Sequence, residues 1–298
     1  MKGIITEIMR FSLKDGPGIR TTVFLKGCNM ACKWCHNPET LALAPQLMRY
    51  PDRCIGCGAC LAVCEHGAFS ENDGVAAYDP INCVSCGACA DSCFSGALVM
   101  SGLEMSIEDV MAEVLQDADY YRNSGGGLTI SGGEAASQPE FTTALLRAAK
   151  AAGIPTAIET NMLAEWPVYE SMLPHLDLVM LDIKLSCDAA HKKWTGVGNK
   201  AILENVRRIS ETKPTIVRTP VIPGVNDTED EIRNIAGIVR GLKNIVSFEL
   251  LLYNPLGESK YEALGLEHLF KGAKPAAEGQ AERLRAAAET AGFPVKVM

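Results

Sequence analysis

The sequence predicts an α/β protein in which six strand–helix units form most of a TIM-like barrel, a (β/α)6 arrangement, with a second module inserted early in the chain. Two observations carry this prediction. Apolar segments of strand length alternate with amphipathic segments of helix length, which is the pattern of βα units and a parallel sheet. In addition, eleven of the twelve cysteines crowd between residues 28 and 93, where that alternation is interrupted. A flat, doubly wound sheet built from the same elements is the alternative.

The predicted elements follow one another along the chain. The strand candidates cover residues 21–25, 128–131, 156–159, 178–183, 216–221 and 246–252. The helix candidates cover residues 107–116, 140–151, 201–209, 229–241 and 281–291. Ser106 and Asp109 form a capping-box pattern before the first of these helices. In a barrel, reactive groups belong at the carboxyl ends of strands, so the residues after each strand are the first place to look for a site.

Composition and charge exclude several classes of function. The 298 residues are 47% hydrophobic and 21% charged, as in globular proteins, and no apolar run reaches the 18 residues of a membrane span. The amino-terminal segment lacks the features of a signal peptide, and a net charge of −8 gives no support for nucleic-acid binding. Cysteines two or three residues apart suit metal clusters better than disulfides, so we expect a cytoplasmic protein.

The distribution of charge predicts where the inserted module lies. Residues 1–40 have a net charge of +3, whereas residues 41–110 have a net charge of −7. A change of this size along the chain indicates a change of module. We place the first part of the barrel at residues 1–47, the insert at residues 48–102 and the remainder of the barrel at residues 103–298.

Three cysteines after the first predicted strand, Cys28, Cys32 and Cys35, have the spacing C-x3-C-x2-C with no fourth at a matching interval. A [4Fe–4S] cluster held by protein thiolates is normally tied at all four irons. Three ligands leave one iron open to a substrate or cofactor. This loop therefore predicts a cluster that takes part in chemistry.

The insert has the spacing C-x2-C-x2-C-x3-C twice, 29 residues apart, which is the bacterial ferredoxin pattern. In two-cluster ferredoxins the fourth cysteine of each run binds the other cluster. One predicted cluster is therefore held by Cys54, Cys57, Cys60 and Cys93, and the other by Cys83, Cys86, Cys89 and Cys64. The usual proline after the fourth cysteine is absent, since Glu65 and Phe94 stand there. Zinc is the alternative metal, and a bracing role is the alternative to electron transfer.

Polar residues follow or interrupt the later strands. Gly132, Gly133 and Glu134 come directly after one strand, and glycines there let the backbone approach a ligand closely. Asp182 lies within an otherwise buried strand pattern that ends with Lys184, and ionised groups there are costly unless paired or bound to a ligand. Several polar groups therefore converge on one end of the predicted barrel, although a mutually satisfied Asp–Lys pair is an alternative explanation.

Together these motifs resemble the radical S-adenosylmethionine (SAM) superfamily, and more narrowly the glycyl radical enzyme activating enzymes related to pyruvate formate-lyase activating enzyme. The segments that carry the resemblance are residues 15–20, 27–40, 131–134, 177–184 and 221–227. The resemblance implies a partial barrel of the radical SAM type that cleaves SAM reductively to a 5′-deoxyadenosyl radical. That radical would take a hydrogen atom from a backbone glycine of a partner lyase, dehydratase or decarboxylase. It also implies a role for residues 15–20 in seating the glycine loop of the partner.

The resemblance also implies roles for individual residues. Cys28, Cys32, Cys35 and Lys184 match catalytic positions. The residues implied in SAM binding are Trp34, Cys35, His36, Asn37, Gly132, Gly133, Glu134, Asp182, Ile183, Lys184, Arg218 and Asn254. A monovalent-cation site would be formed by Glu159, Thr160, Met180 and Asp182.

Two positions depart from the pattern of the activating enzymes that the chain resembles. Glu159 stands where they have Asp, and Asn254 stands where pyruvate formate-lyase activating enzymes have His. Asparagine can hydrogen-bond a ribose but cannot become positively charged. The expected cofactors are thus three [4Fe–4S] clusters, SAM and a monovalent cation.

The expected partners are a glycyl radical enzyme and a flavodoxin or ferredoxin as electron donor, and we expect a monomer. Two other functions use the same motifs. The chain is then either a radical SAM enzyme that modifies a small molecule or peptide, or an iron–sulfur electron carrier whose barrel is only a scaffold. Cleavage of SAM by the reduced protein separates the last of these from the enzymes.

Overall fold

The computed structural model describes residues 1–72 and 75–298. Its strands are β1 (Lys2–Ser12), β2 (Arg20–Leu25), β3 (Gln46–Arg49), β4 (Phe69–Asn72), β5 (Val75–Tyr78), β6 (Leu98–Ser101), β7 (Leu103–Ser106), β8 (Gly127–Gly132), β9 (Thr156–Thr160), β10 (Leu178–Asp182), β11 (Thr215–Val221), β12 (Ile245–Leu252) and β13 (Val295–Val297). Its helices are α1 (Ala59–Val63), α2 (Ala88–Asp91), α3 (Ile107–Leu115), α4 (Ala118–Ser124), α5 (Pro139–Ala151), α6 (Trp166–Met172), α7 (Asp188–Thr195), α8 (Lys200–Ser210), α9 (Glu229–Arg240), α10 (Glu258–Leu264) and α11 (Glu278–Glu289).

Nine strands of the described chain form one sheet in the order β13-β12-β11-β10-β9-β8-β2-β1-β7. Neighbours from β2 to β13 are parallel, while β1 is antiparallel to β2 and β7 is antiparallel to β1. From β8 to β13 the order follows the chain without reversal, so the doubly wound alternative, which reverses its strand order at a switch point, is wrong. The predicted α/β fold with a mostly parallel sheet is confirmed.

The two faces of this sheet differ in chemistry because side chains alternate along a strand. One face packs against the helices through fully buried side chains such as Val23, Ile130, Ile158, Leu181 and Val217. The other face lines the lumen of the partial barrel, and near the carboxyl ends of the strands it is charged. That charged end is formed by Glu159 on β9, Asp182 on β10, Arg218 on β11 and Glu249 on β12.

The segment from β3 to β6 has a small core of its own, formed by Leu47, Ala68, Phe69, Cys89 and Leu98. Its ends meet in the antiparallel β3–β6 ribbon, whose register pairs Gln46 with Ser101 and Arg49 with Leu98. The short helices α1 and α2 each follow a glycine in the left-handed conformation. The β4–β5 hairpin completes the unit.

One end of the β3–β6 ribbon lies against the barrel. The ammonium group of Lys26, which is fully buried, donates to the carbonyl oxygen of Glu39 at 2.5 Å and to Oε1 of Gln46 at 3.1 Å. Ser101 Oγ donates to the same carbonyl oxygen at 3.4 Å. Gln46 and Ser101 are therefore the barrel-side end of the ribbon, and Arg49 and Leu98 are its far end.

No helix in the described part of the chain combines the length and the apolar character required to cross a membrane.

Candidate active site

The cysteine loop leaves the carboxyl end of β2 and is fixed by backbone hydrogen bonds. Gly27 N donates to the carbonyl oxygen of Thr40 at 2.7 Å, and Cys35 N donates to that of Cys32 at 3.1 Å. Asn161 directly follows β9, and its Nδ2 lies 3.8 Å from Cys28 Sγ. The loop is thus held against the ends of neighbouring strands, as the sequence predicts for a barrel site.

The three thiols of this loop are partly buried. Burial raises the pKa of Cys28 to about 11, and burial together with the neighbouring thiols raises that of Cys35 to about 12. The thiols therefore stay protonated at neutral pH in the protein alone, and a bound metal cluster is what would stabilise them as thiolates. The donor set fits an iron–sulfur cluster with three protein ligands.

Gly132 and Gly133 bring the end of β8 against the cysteine loop. A Cβ atom on Gly133 would lie 2.4 Å from the carbonyl oxygen of Gly27 and 2.6 Å from that of Thr40. A Cβ atom on Gly132, which has φ +119°, would lie 2.2 Å from the backbone of Leu25. The close approach expected at these glycines is thus made by the end of β2 at Gly132 and by the cysteine loop at Gly133.

Glu134 is a buried carboxylate that has no cationic partner among residues 1–72 and 75–298. Oε1 accepts hydrogen bonds from Thr160 Oγ1 at 2.6 Å and Ala136 N at 2.9 Å, and Oε2 accepts one from Asn161 N at 2.7 Å. Burial raises its pKa above the usual range. Each other buried carboxylate of the described chain, on Glu39, Asp117 and Glu249, has a lysine or arginine within 4 Å. Glu134 therefore fits an incoming ammonium group.

Two groups of ion pairs line the lumen beside this carboxylate. Lys184 Nζ lies 2.5 Å from Asp182 Oδ2. Burial opposes the charge on Lys184, but the nearby carboxylate of Asp182 outweighs it and the pKa is raised. Arg218 pairs with Glu159 and, through Nε at 3.0 Å, with Glu249.

The expected cation site consists of side chains that are already engaged. Glu159 pairs with Arg218 through Oε1 and accepts a hydrogen bond from Ser131 Oγ at 2.6 Å through Oε2. Thr160 donates to Glu134, and Met180 is a buried side chain of the lumen. The engaged donors do not fit a monovalent cation.

An aromatic cluster lies beside the cysteine loop. Trp34 is buried with Leu185, Ile222, Tyr253 and Phe270. The His36 ring lies 5.7 Å from the Tyr253 ring, and its Nε2 is buried without a hydrogen-bond partner in the described structure. An apolar wall with one unsatisfied polar atom fits a flat heteroaromatic ligand such as adenine.

The other residues expected at the adenosine stabilise local structure. Asn37 Oδ1 accepts from Lys260 Nζ at 2.7 Å, and Asn254 Oδ1 accepts from Leu256 N at 3.2 Å. Ile183 is buried and its N–H donates to the carbonyl oxygen of Arg218 at 2.9 Å. All three lie in loops at the carboxyl ends of β2, β10 and β12, so the structure brings them to the same end of the barrel as the cysteine loop.

Residues 15–20 lead into β2 along the lumen. Asp15 Oδ2 accepts from Ser12 Oγ at 2.6 Å and from Thr22 Oγ1 at 2.8 Å. The Arg20 side chain is buried and donates to Thr129 Oγ1 and to the carbonyl oxygen of Leu128, each at 2.6 Å. This segment therefore forms a fixed wall of the site and is not simply a turn that leads into β2.

The cysteines of the insert surround two open cavities of about 920 and 340 Å³, solvent-open space included. The larger cavity is lined by Cys54, Cys57, Cys60 and Cys93, and the smaller by Cys64, Cys83, Cys86 and Cys89. In each set the fourth cysteine comes from the other run, as in two-cluster ferredoxins. The four cysteines of each set surround an open cavity, whereas the four ligands of a zinc site converge on a single ion.

Sequence reasoning missed several charged residues of the lumen and its edge. Glu249, Lys260 and Lys296 are the clearest, because each makes an ion pair with a residue of the lumen or of the cysteine loop. Glu249 could have been found from the sequence, because it is the only acidic residue in the otherwise largely apolar segment 246–252. Lys260 and Lys296 lie in short elements with no such pattern.

Comparisons with known proteins agree with this geometry. The Radical SAM superfamily model matches residues 22–236. The chain is 44% identical over 273 residues to the isethionate sulfite-lyase activating enzyme of Nitratidesulfovibrio vulgaris, covering 89% of this chain and 88% of the relative. It is 37% identical over 304 residues to the choline trimethylamine-lyase activating enzyme of Oleidesulfovibrio alaskensis, covering 100% and 98%. It is 44% identical to the benzylsuccinate synthase activating enzyme of Thauera aromatica, covering 88% and 82%.

Two solved structures share the fold. A domain of pyruvate-formate lyase-activating enzyme from Bacteroides vulgatus matches with a TM-score of 0.50 and 26% identity, covering 58% of this chain and 99% of that one. A radical SAM methyltransferase from Sphaerobacter thermophilus matches in fold alone, with a TM-score of 0.53 and 14% identity over 99% of this chain and 76% of that one. The chain belongs to the radical SAM superfamily and, within it, to the activating enzymes of glycyl radical enzymes.

Proposed function

We propose that this protein activates a glycyl radical enzyme of the lyase, dehydratase or decarboxylase class. The observation that carries the proposal is the three-thiol loop beside Glu134, a buried carboxylate with no cationic partner in the described structure. When bound, a [4Fe–4S] cluster and SAM supply the chemistry, in which one electron cleaves the sulfonium and the 5′-deoxyadenosyl radical takes a hydrogen atom from a glycine. The relatives, at 37–44% identity, are named for several partners and do not single out one.

The side chains of the site divide into three roles. Cys28, Cys32 and Cys35 hold the catalytic cluster. Glu134 binds the ammonium group of SAM, with Gly132 and Gly133 providing backbone contacts. The other proposed SAM contacts are Trp34, His36, Asn37, Asp182, Ile183, Lys184, Arg218 and Asn254.

Lys184 and Arg218 are the cations placed to meet the carboxylate or the ribose of SAM. Both side chains are nearly buried and both are held by carboxylates, so they present charge without swinging into solvent. A group that is held in place before binding loses little entropy when it binds its ligand. This fixed arrangement supports a site that orients SAM.

We infer that the insert, residues 48–102, binds two further [4Fe–4S] clusters at its two cysteine-lined cavities, for three in all. The β3–β6 ribbon supports these boundaries to within two residues. Leu47 and Met100, at the barrel-side half of the ribbon, line the cavity of Cys64, Cys83, Cys86 and Cys89. Arg49 and Leu98, at its far end, line the other cavity. The cavity lined by Cys64, Cys83, Cys86 and Cys89 is thus the one nearer the barrel.

We also propose that the protein is a monomer and that it receives electrons from a flavodoxin or ferredoxin. Residues 15–20 form the wall of the lumen against which the glycine loop of the partner is seated. The Asp15 carboxylate is held by two hydroxyl groups, so it presents a fixed acceptor to that loop.

The test is electron paramagnetic resonance of the candidate partner after anaerobic incubation with this protein, SAM and a reductant. We expect a glycyl radical doublet on the partner together with 5′-deoxyadenosine in the solution. 5′-Deoxyadenosine without a doublet would point to a small molecule or peptide as the substrate. If the clusters are reduced but neither the doublet nor 5′-deoxyadenosine forms, the protein would be an electron carrier only.

A further inference from the structure

A row of charged residues crosses four neighbouring strands at one level of the lumen. The parallel register places Asp182 beside Arg218, Arg218 beside Glu249, and Glu249 beside Lys296. Residues at the same level of adjacent strands project from the same face, so these side chains are neighbours. Glu159 on β9 lies at the next level and reaches across to Arg218.

Arg218 is the centre of this row. Its Nε donates to Glu249 Oε2 at 3.0 Å, its Nη1 pairs with Glu159, and its Nη2 donates to the carbonyl oxygen of Lys14 at 2.6 Å. Its side chain is 8% exposed. Burial opposes the charge, but the two carboxylates outweigh it and raise the pKa of Arg218.

Glu249 connects Arg218 to the edge of the sheet. Its side chain is 3% exposed, and its Oε1 accepts from Lys296 Nζ at 2.9 Å and from Ser247 Oγ at 3.1 Å. Although burial opposes its charge, Lys296 and Arg218 hold the pKa of Glu249 below its usual range. Glu249 therefore stays ionised and keeps the guanidinium in one position.

The charges of the lumen balance without a metal ion. The carboxylates of Asp15, Glu159, Asp182 and Glu249 are matched in number by the cations of Arg20, Lys184, Arg218 and Lys296. Burial raises the pKa of Glu159, and the ion pair with Arg218 opposes that shift. SAM itself brings one net positive charge, for which Glu134 is the free buried carboxylate of the described chain. Once SAM is bound, no carboxylate among the described side chains of the lumen is left to form an ion pair with a further cation.

We propose, on the basis of the proposed function, that Arg218 serves as a built-in cation of the SAM site and that Glu249 is its positioning residue. The extra methylene of Glu159, compared with Asp, lets that carboxylate reach the guanidinium. The site then binds SAM without a monovalent metal ion.

The first experiment measures SAM affinity by anaerobic calorimetry on the cluster-loaded protein at constant ionic strength. KCl or NaCl is replaced by tetramethylammonium chloride, whose cation is too bulky for a site of oxygen ligands. We expect the Kd to change by less than about twofold, that is by less than about 0.4 kcal/mol. A Kd that is tenfold or more tighter in K⁺ or Na⁺ would overturn the proposal. A loaded protein that binds no SAM in any salt would refute the proposed function instead.

The second experiment uses Glu159→Asp, which shortens the carboxylate that reaches Arg218. We expect the variant to gain a dependence of SAM affinity on K⁺ or Na⁺ of about threefold or more, equivalent to about 0.7 kcal/mol. A matched control is Glu204→Gln, which alters an exposed carboxylate paired with Arg207 and gains no such dependence. Glu159→Asp with a cation-independent Kd would contradict the assigned role of Arg218.

Glu249→Gln tests the positioning role. We expect SAM binding about tenfold weaker, equivalent to about 1.4 kcal/mol, with an unchanged cluster spectrum. The Glu204→Gln control keeps the affinity of the parent protein. A lowered melting temperature with an unchanged Kd would assign Glu249 a structural role only and overturn this part of the proposal.

Discussion

Replacing Glu134 by glutamine tests how the site recognises the amino group of SAM. The carboxylate is 2% exposed and held by three hydrogen bonds, so it does not need to move to meet an ammonium group. Glutamine keeps the shape but removes the charge, and one of its two ends becomes a donor. That end then faces Thr160 or the N–H of Asn161 or Ala136, which are donors as well.

The size of the effect follows from this environment. A hydrogen bond to a charged group contributes about 1.5–3 kcal/mol, and removal of a partner in a buried site costs at least that much. Since about 1.4 kcal/mol is a factor of ten, we expect the Kd for SAM to rise about 10- to 150-fold in Glu134→Gln. Anaerobic calorimetry on the cluster-loaded protein measures this directly.

Two controls keep the result interpretable. Iron content and the spectrum of the reduced cluster show whether the variant still holds its cluster, because Glu134 also fixes the turn after β8. Thr160→Val removes one hydrogen bond to Glu134 but keeps its charge, so we expect a loss of less than about tenfold. A change of less than about threefold in Glu134→Gln, with its cluster intact, would refute the ammonium assignment.

Four further outcomes are expected. Cys32→Ala abolishes SAM cleavage while iron stays on the insert, so cleavage that survives in this variant contradicts the cluster assignment. Cys57→Ala removes one insert cluster and slows activation of the partner with a protein reductant more than with dithionite. If activity falls equally with both reductants, the cluster has a structural role instead. Gly133→Ala forces a Cβ atom against the carbonyl oxygens of the cysteine loop and lowers the melting temperature and the iron content, by a strain of about 1–3 kcal/mol. Hydrogen bonds from Arg10 hold the pKa of Asp117 below its usual range, so their stabilisation is present at neutral pH and lost as the pH falls below about 4. Denaturant titrations of Asp117→Asn then show about 1–3 kcal/mol lower stability at pH 7 and a weaker loss in acid; an unchanged acid limb contradicts this reasoning.

The fold could be predicted from the sequence where the hydrophobic pattern is strong. The six apolar segments that alternate with helices all form strands of the central sheet, as β2 and β8–β12. The strands that were missed depend on tertiary neighbours. β1 mixes polar and apolar residues without a clear period, and β13 has only three residues that pair with β12.

The site could be predicted in part. Local spacing indicated the cysteine loop and the Gly-Gly-Glu turn, because those residues are close in sequence. Pairs such as Arg218 with Glu159 join residues 59 positions apart, and only the register of the sheet brings them together. The sequence also suggested that Gly133 approaches a ligand, whereas its close contacts are the backbone of the cysteine loop.

The central sheet has two ends, β13 on one side and β7 with β1 on the other, and in the described structure these ends are not paired. A closed barrel admits molecules only through its two rims. An open sheet leaves a seam along its side, through which a hairpin from the middle of another chain can pass without threading a terminus. The flanking segments of such a hairpin stay outside and withdraw by the same route. In the proposed function, the glycine loop of the partner therefore needs no free chain end to reach the site.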